Sequence, residues 1–168
     1  RIGSTAKALT ATGLARLVEA GDLTLDTPIE ELWQTLPNPT WVGITPRQLA
    51  SHMAGLPHYG DNSELEGLLH SLTLQKHYDS VHEAVTLFDE SDLLYAPGTD
   101  FFYSTYGTVL NSAVMSKAAD KSYLELMNDL VFEPNGMDGV MVAPADSRTV
   151  DNMAVPYHSN WREGDRLR

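Results

Sequence analysis

Arg1-Ile2-Gly3-Ser4-Thr5-Ala6-Lys7 opens the chain and carries Ser-x-x-Lys at residues 4 and 7. On a helix, residues three apart share a face with Cβ atoms about 5 to 6 Å apart, so the Lys7 amine reaches the Ser4 hydroxyl and can take its proton. Such a pair is a nucleophile with its base. The structural alternative is that Ser4 only caps the helix. A capping box would put Glu or Gln three residues after the serine. Lys7 is instead a cation near the positive end of the helix dipole, where it is mildly unfavourable, which speaks against a purely structural role. A two-residue pattern arises about once by accident in a chain of this size, so its surroundings decide.

Working outward, the spacing predicts a helix from about Ser4 to Ala20, with Leu9, Leu14, Leu17 and Val18 as its apolar stripe and Gly21 as its stop. Asp22 to Pro28 reads as a turn and short extended piece before a brief helix, Ile29 to Leu36, ended by Pro37-Asn38-Pro39. Thr45-Pro46-Arg47-Gln48 announces the next helix with an N-cap threonine, proline at the first position and glutamine at the third. It should run to about Met53 and stop at Gly55. Ser63-Glu64-Leu65-Glu66 and Ser80-Val81-His82-Glu83 are further capping boxes and predict two helices across residues 63–90. Tyr95 to Thr99 is a break. Ser104 or Thr105 can cap a helix from Tyr106 to about Ala119, which leaves Tyr103 just outside a second helix N-terminus. Ser122-Tyr123-Leu124-Glu125 starts a last helix, which Pro134 ends. Met153 to Tyr157 and the turn at Glu163-Gly164-Asp165 read as the first hairpin of a sheet that the chain ends before completing.

Composition narrows the function. The 168 residues are 42% hydrophobic and 20% charged, the balance of one globular domain or part of one. A net charge of −12 argues against nucleic acid or an anionic membrane surface as partner. With no cysteine, disulfides, thiol catalysis and zinc-thiolate sites are excluded. No apolar run approaches the ~18 residues of a membrane span. The six histidines are scattered and do not form an i, i+4 pair with a carboxylate in metal-site order, so structural or solvated roles are expected of them. The missing initiator Met points to a cut end, with any targeting signal upstream.

Several stretches taken together resemble the serine β-lactamase and penicillin-binding protein superfamily, in its class C β-lactamase, D,D-peptidase and esterase branch. They are Ser4-Thr5-Ala6-Lys7 with the Leu-rich helix after it, Gly21 to Asp26, Ile44 to Pro57, Pro97-Gly98-Thr99 leading to Tyr103-Ser104-Thr105, and Phe132 to Met137, in the family's order. The resemblance implies an α+β fold, an antiparallel sheet flanked by helices. Residues 1–150 would be the nucleophile helix and helical subdomain, and residues 151–168 the start of a truncated sheet hairpin, so the chain should be mainly α with most of the sheet missing. It also implies covalent acyl transfer on an amide, ester or β-lactam carbonyl of a small-molecule or peptide substrate, without metal or organic cofactor. Ser4 would be the nucleophile and Lys7 its base. Tyr103 resembles the second-motif tyrosine, which relays a proton to the leaving group and helps activate the deacylating water; Thr105 would meet the substrate. Periplasmic, secreted or mitochondrial settings are implied, and the oligomeric state is open.

Two departures shape these expectations. The second motif usually reads Tyr-x-Asn, and here it is Tyr103-Ser104-Thr105. Thr105 has no amide to hold the lysine and contact the substrate, so peptidase or esterase activity is expected before efficient β-lactam hydrolysis, as in the mitochondrial β-lactamase-like serine hydrolases that this form resembles. The third motif, Lys/His-x-Gly on a strand downstream of the tyrosine, has no counterpart. His58-Tyr59-Gly60 fits the letters but precedes the tyrosine. The second oxyanion donor is therefore expected to be absent and the isolated chain to turn over little. A reading of another class stands beside the enzyme: a non-catalytic helical binding or assembly module from a degenerate or truncated homologue.

Overall fold

Helix α5 (Thr105–Ala119) is the element against which the others pack. In the computed structural model, which describes residues 2–33, 35–59 and 78–140, Tyr106, Leu110, Ala113, Val114 and Met115 of this helix are all buried. Its sequence explains the position. Apolar residues lie all round it and, apart from the exposed Lys117 in its last turn, the polar ones are small, so most of its surface is suited to burial. The buried Ser112 hydroxyl donates to the Thr108 carbonyl one turn back and is satisfied locally. Against α5 lie α1 (Ala6–Ala20), α2 (Ile29–Leu32), α3 (Pro46–Ala50), α4 (Val81–Val85) and α6 (Tyr123–Met127). No strand occurs among the described residues. The expected hairpin in residues 151–168 and the expected helical residues 63–77 lie outside the described residues.

Helix α1 follows a single 3-10 turn at Gly3–Thr5 and ends at Gly21, whose φ of 81° is the left-handed stop that the glycine predicts. Its buried stripe is turned from the expected one. Thr10, Gly13, Leu14 and Leu17 face the core, while Leu9 and Val18 are half-buried. The cause is close approach: a Cβ on Gly13 would stand 2.8 Å from the Met127 sulfur and 3.1 Å from the Met115 methyl. Only small side chains fit there, and the Thr10 hydroxyl pairs with the Tyr123 hydroxyl at 2.7 Å, joining α1 to α6.

The caps hold more closely than the lengths. Thr45 and Gln48 form the expected reciprocal box at α3, as do Ser122 and Glu125 at α6. At α4 the box is displaced by one residue: Ser80 receives the Glu83 amide, but the Glu83 carboxylate receives the amide of Asp79 rather than that of Ser80. Helix α2 stops at Leu32 instead of Leu36, because Trp33 turns extended and lays its ring against His82 and beneath Lys117. Beyond α6 the chain widens into a π-helical turn at Asn128–Phe132 and tightens into a 3-10 turn at Glu133–Asn135.

Helix α3 also ends early, at Ala50 rather than Met53, in an unusual way. The Met53 amide donates to the Gln48 carbonyl at 2.8 Å and the His52 amide to the Leu49 carbonyl at 3.3 Å. This is a Schellman ending, whose left-handed residue is usually glycine. Here it is His52, with φ 60°. After it, residues 53–59 run beside residues 93–103, held by Leu94 N–H to Gly55 O at 2.7 Å, Gly98 N–H to Met53 O at 2.7 Å and Phe102 N–H to His52 O at 3.0 Å. Gly55 has φ 80°, and a Cβ on it would stand 2.3 Å from the Tyr95 carbonyl oxygen. Gly21 has a similar φ but open space around it.

The two glycines should therefore respond differently. In denaturant unfolding, Gly21→Ala is expected to cost about 1 kcal/mol, the left-handed penalty alone, whereas Gly55→Ala adds a backbone clash and should cost ~3 kcal/mol or prevent folding. Equal losses at the two positions would contradict the packing described.

Candidate active site

Three of the four sequence-predicted residues meet at one point. Lys7 Nζ donates to Ser4 Oγ at 3.2 Å, and the Tyr103 hydroxyl donates to the same oxygen at 3.0 Å, across 99 residues of chain. The pairing of Ser4 with Lys7 follows from the helical spacing, since Ser4 lies in the 3-10 turn and Lys7 in the first turn of α1. Tyr103 arrives from the extended segment before α5. Ser4 is exposed, Lys7 half-buried, and Tyr103 40% exposed, so the cluster lies open on the surface of the described residues.

The electrostatics favour a phenolate. The Lys7 ammonium acts most strongly on Tyr103 and the Ser4 hydroxyl next, and together they hold its phenol below the usual tyrosine range. The ammonium nitrogen also lies 5.1 Å from the centre of the Tyr103 ring. An acid whose pKa falls is ionised at lower pH than its ordinary counterpart.

Thr105, the fourth residue, occupies the first position of α5 and is half-buried. Its hydroxyl stands near enough to the phenol to favour the charged form weakly, yet it meets hydrogen-bond geometry with nothing among the described residues. Three further tyrosines that could in principle relay a proton, Tyr59, Tyr95 and Tyr106, are engaged elsewhere. Tyr95 donates to the His52 carbonyl at 3.2 Å, Tyr106 is buried and stacked on Phe88, and the ring of Tyr59 packs against those of His58 and Tyr106.

Sequence reasoning missed the side chains that hold Tyr103. The ring of His52 packs against the Tyr103 ring with centroids 4.6 Å apart, and that of His58 meets it edge-on at 5.5 Å. The Nδ1 atoms of the two histidines accept the amides of Ser104 and Thr105 at 3.3 and 3.2 Å. The signals were the place of His52 in the family-like stretch from Ile44 to Pro57 and the letters of His58-Tyr59-Gly60, and neither histidine falls in a metal-site or nucleophile pattern. Among the described residues no three histidines or carboxylates are grouped as a metal would need, and no helix is long and apolar enough to cross a membrane.

The Tyr103 ionisation can be followed by the tyrosinate absorbance difference between the wild type and Tyr103→Phe. Its midpoint is expected below the usual value of about 10, and Lys7→Ala should move it upward. An unchanged midpoint in Lys7→Ala would contradict the electrostatic account.

Known proteins share this arrangement of sequence. The chain is 25% identical to the serine beta-lactamase-like protein LACTB, mitochondrial, of Homo sapiens over 190 aligned positions, covering 77% of this chain and 35% of that protein. It is 28% identical to Esterase EstB of Burkholderia gladioli over 100% of this chain and 44% of the relative. The fold matches a crystal structure of a D-stereospecific amidohydrolase from Streptomyces sp. with a TM-score of 0.69 and 26% identity, over 82% of this chain and 42% of that one. The chain thus spans less than half the length of each of these relatives. The family model described as Beta-lactamase matches residues 1–166, and the chain belongs to that family of serine β-lactamases and penicillin-binding proteins.

Proposed function

We propose that the protein is a serine hydrolase that works through an acyl-enzyme on Ser4, with an ester or peptide-like amide as substrate in preference to a β-lactam. The observation that carries this reading is the single oxygen, Ser4 Oγ, within hydrogen-bond distance of both Lys7 Nζ and the Tyr103 hydroxyl. A nucleophile needs a base within reach and an orienting group behind that base. Lys7 and Tyr103 together fill both requirements, since each stands within hydrogen-bond distance of the Ser4 oxygen.

In the first step the Ser4 proton passes into the Lys7–Tyr103 pair as Oγ bonds to the substrate carbonyl carbon. The carbonyl oxygen takes the negative charge, and the amide of Ser4, which lies in the 3-10 turn before α1, donates to it in this reading. Collapse of this intermediate breaks the bond to the alkoxide or amine, which leaves with the proton held by the pair. Water then repeats the sequence on the acyl-enzyme: the pair takes its proton, and Ser4 recovers it as the acid departs. The preference against β-lactams rests on Thr105, which lacks the amide of the usual asparagine. The names of two relatives, an esterase and an amidohydrolase, agree with this preference.

Hydrolysis of short-chain nitrophenyl esters by the full-length protein should fall about a thousandfold or more in kcat/KM for Ser4→Ala. For Lys7→Ala and Tyr103→Phe the loss should be about a hundredfold. Thr105→Asn is expected to raise acylation by a penicillin relative to ester turnover. An esterase rate untouched by Ser4→Ala would overturn the proposal.

A further inference from the structure

The Tyr103 ring is 40% exposed and packs on the rings of His52 and His58, and the backbone on either side of it also decides where its hydroxyl sits. Its two neighbours in the chain are gripped from one side. The His52 carbonyl receives the Phe102 amide at 3.0 Å and the Tyr95 hydroxyl at 3.2 Å, and the His52 ring receives the Ser104 amide. One residue thus holds the chain before and after Tyr103. Five residues on, Pro57 receives the buried Ser104 hydroxyl at 2.7 Å, and at the next residue the His58 ring receives the Thr105 amide. The grip is made from a left-handed His52 backbone, with φ 60°. A histidine where glycine is favoured costs about 1 to 2 kcal/mol, and a strained residue at a site is a reason to look for a role.

We propose that His52 and His58 are positioning residues, which hold Tyr103 over Ser4 by accepting the Ser104 and Thr105 amides on unprotonated Nδ1 atoms. The inference rests on the reading of Ser4, Lys7 and Tyr103 as an acyl-transfer site. A ring nitrogen that accepts an N–H cannot carry a proton of its own, so each ring must be neutral with its proton on Nε2. The groups facing His52 support the neutral form. Burial comes first and the Lys7 charge from α1 second; the Ser104 backbone contact acts the other way, and with His58 the net direction is below the usual 6.5. Among the described residues, Tyr95 and Tyr103 also face His52, and no carboxylate is among the groups acting on its ring. For a base with a depressed pKa, the arrangement is intact above pH 6.5 and is lost as pH falls through the lower folded value. On protonation, two donors would face each other at Ser104, and the Tyr103 segment would loosen.

The test combines nitrogen NMR with acylation kinetics on the full-length protein. With backbone and ring nitrogens labelled, through-hydrogen-bond N–N couplings are expected at neutral pH from the Ser104 amide to His52 and from the Thr105 amide to His58, and both should vanish on acidification. Fluorophosphonate labelling of Ser4 should slow about tenfold in His52→Gly and in His58→Leu. The first of these suits the left-handed backbone yet removes the ring. His52→Asn and His58→Asn, which keep a non-titrating acceptor near the same place, should recover most of the rate and flatten the acid side of the pH profile. The proposal is overturned if the couplings are absent, if the Gly and Leu variants label at the wild-type rate, or if the Asn variants are no faster than these. Should wild-type Ser4 take no label at all, the acyl-transfer reading fails by itself, and the couplings alone decide whether the two rings hold this segment.

Discussion

The buried hydroxyl of Ser104 is the point on which the arrangement depends. It receives the Gly107 amide as the N-cap of α5 and donates to the Pro57 carbonyl, so it fixes the start of the central helix and the loop after α3 in one network. Every other placement follows. Helix α5 is mostly buried, and α1 is drawn tightly onto the same body by Gly13 and the Thr10–Tyr123 bond. The N-terminal ends of α1 and α5 therefore come together, and each carries its chemistry just at or before its first turn. Ser4 and Tyr103 are neighbours because two capped helices pack, and no local sequence relation between them is needed.

The residues that carry the family resemblance divide into two sets once they are seen in the fold. Ser4, Lys7 and Tyr103 share one hydrogen-bonded oxygen. Asp26, Leu25, Ile44 and Arg47 instead hold the frame: Arg47 makes a two-pronged bond to Asp26, its amide donates to Leu25, and the Ile29 amide donates to Ile44. The Arg47–Asp26 pair is exposed, and its carboxyl is held low mainly by the guanidinium hydrogen bonds. Such a pair adds modestly to stability, and its greater effect is to fix register between the turn after α1 and the start of α3.

Much of this was legible in the sequence, for a physical reason that also explains what was not. Caps are local, so Thr45 with Gln48, Ser122 with Glu125, Ser104 and Gly21 could be read from spacing alone. Helix ends set by tertiary contacts could not. Trp33 leaves α2 to meet His82, and α3 closes on a histidine where a glycine was awaited at Gly55. The α1 stripe was misread by one position because a glycine and a threonine, both weak hydrophobic signals, face the core where the methionines leave no space. The pairing of Ser4 with Lys7 was visible as a three-residue spacing; the two histidine rings behind Tyr103 were not, since a ring that accepts backbone amides leaves no pattern in sequence.

The central claim is that the Ser4 oxygen is a nucleophile activated by Lys7 and Tyr103. Its most direct test is peptide mapping by mass spectrometry after the full-length protein has been treated with a fluorophosphonate or a fluorescent penicillin. The account predicts one stoichiometric adduct on the peptide that carries Ser4, absent from Ser4→Ala and formed far more slowly in Lys7→Ala. Labelling at another residue, or none with either reagent, would contradict it.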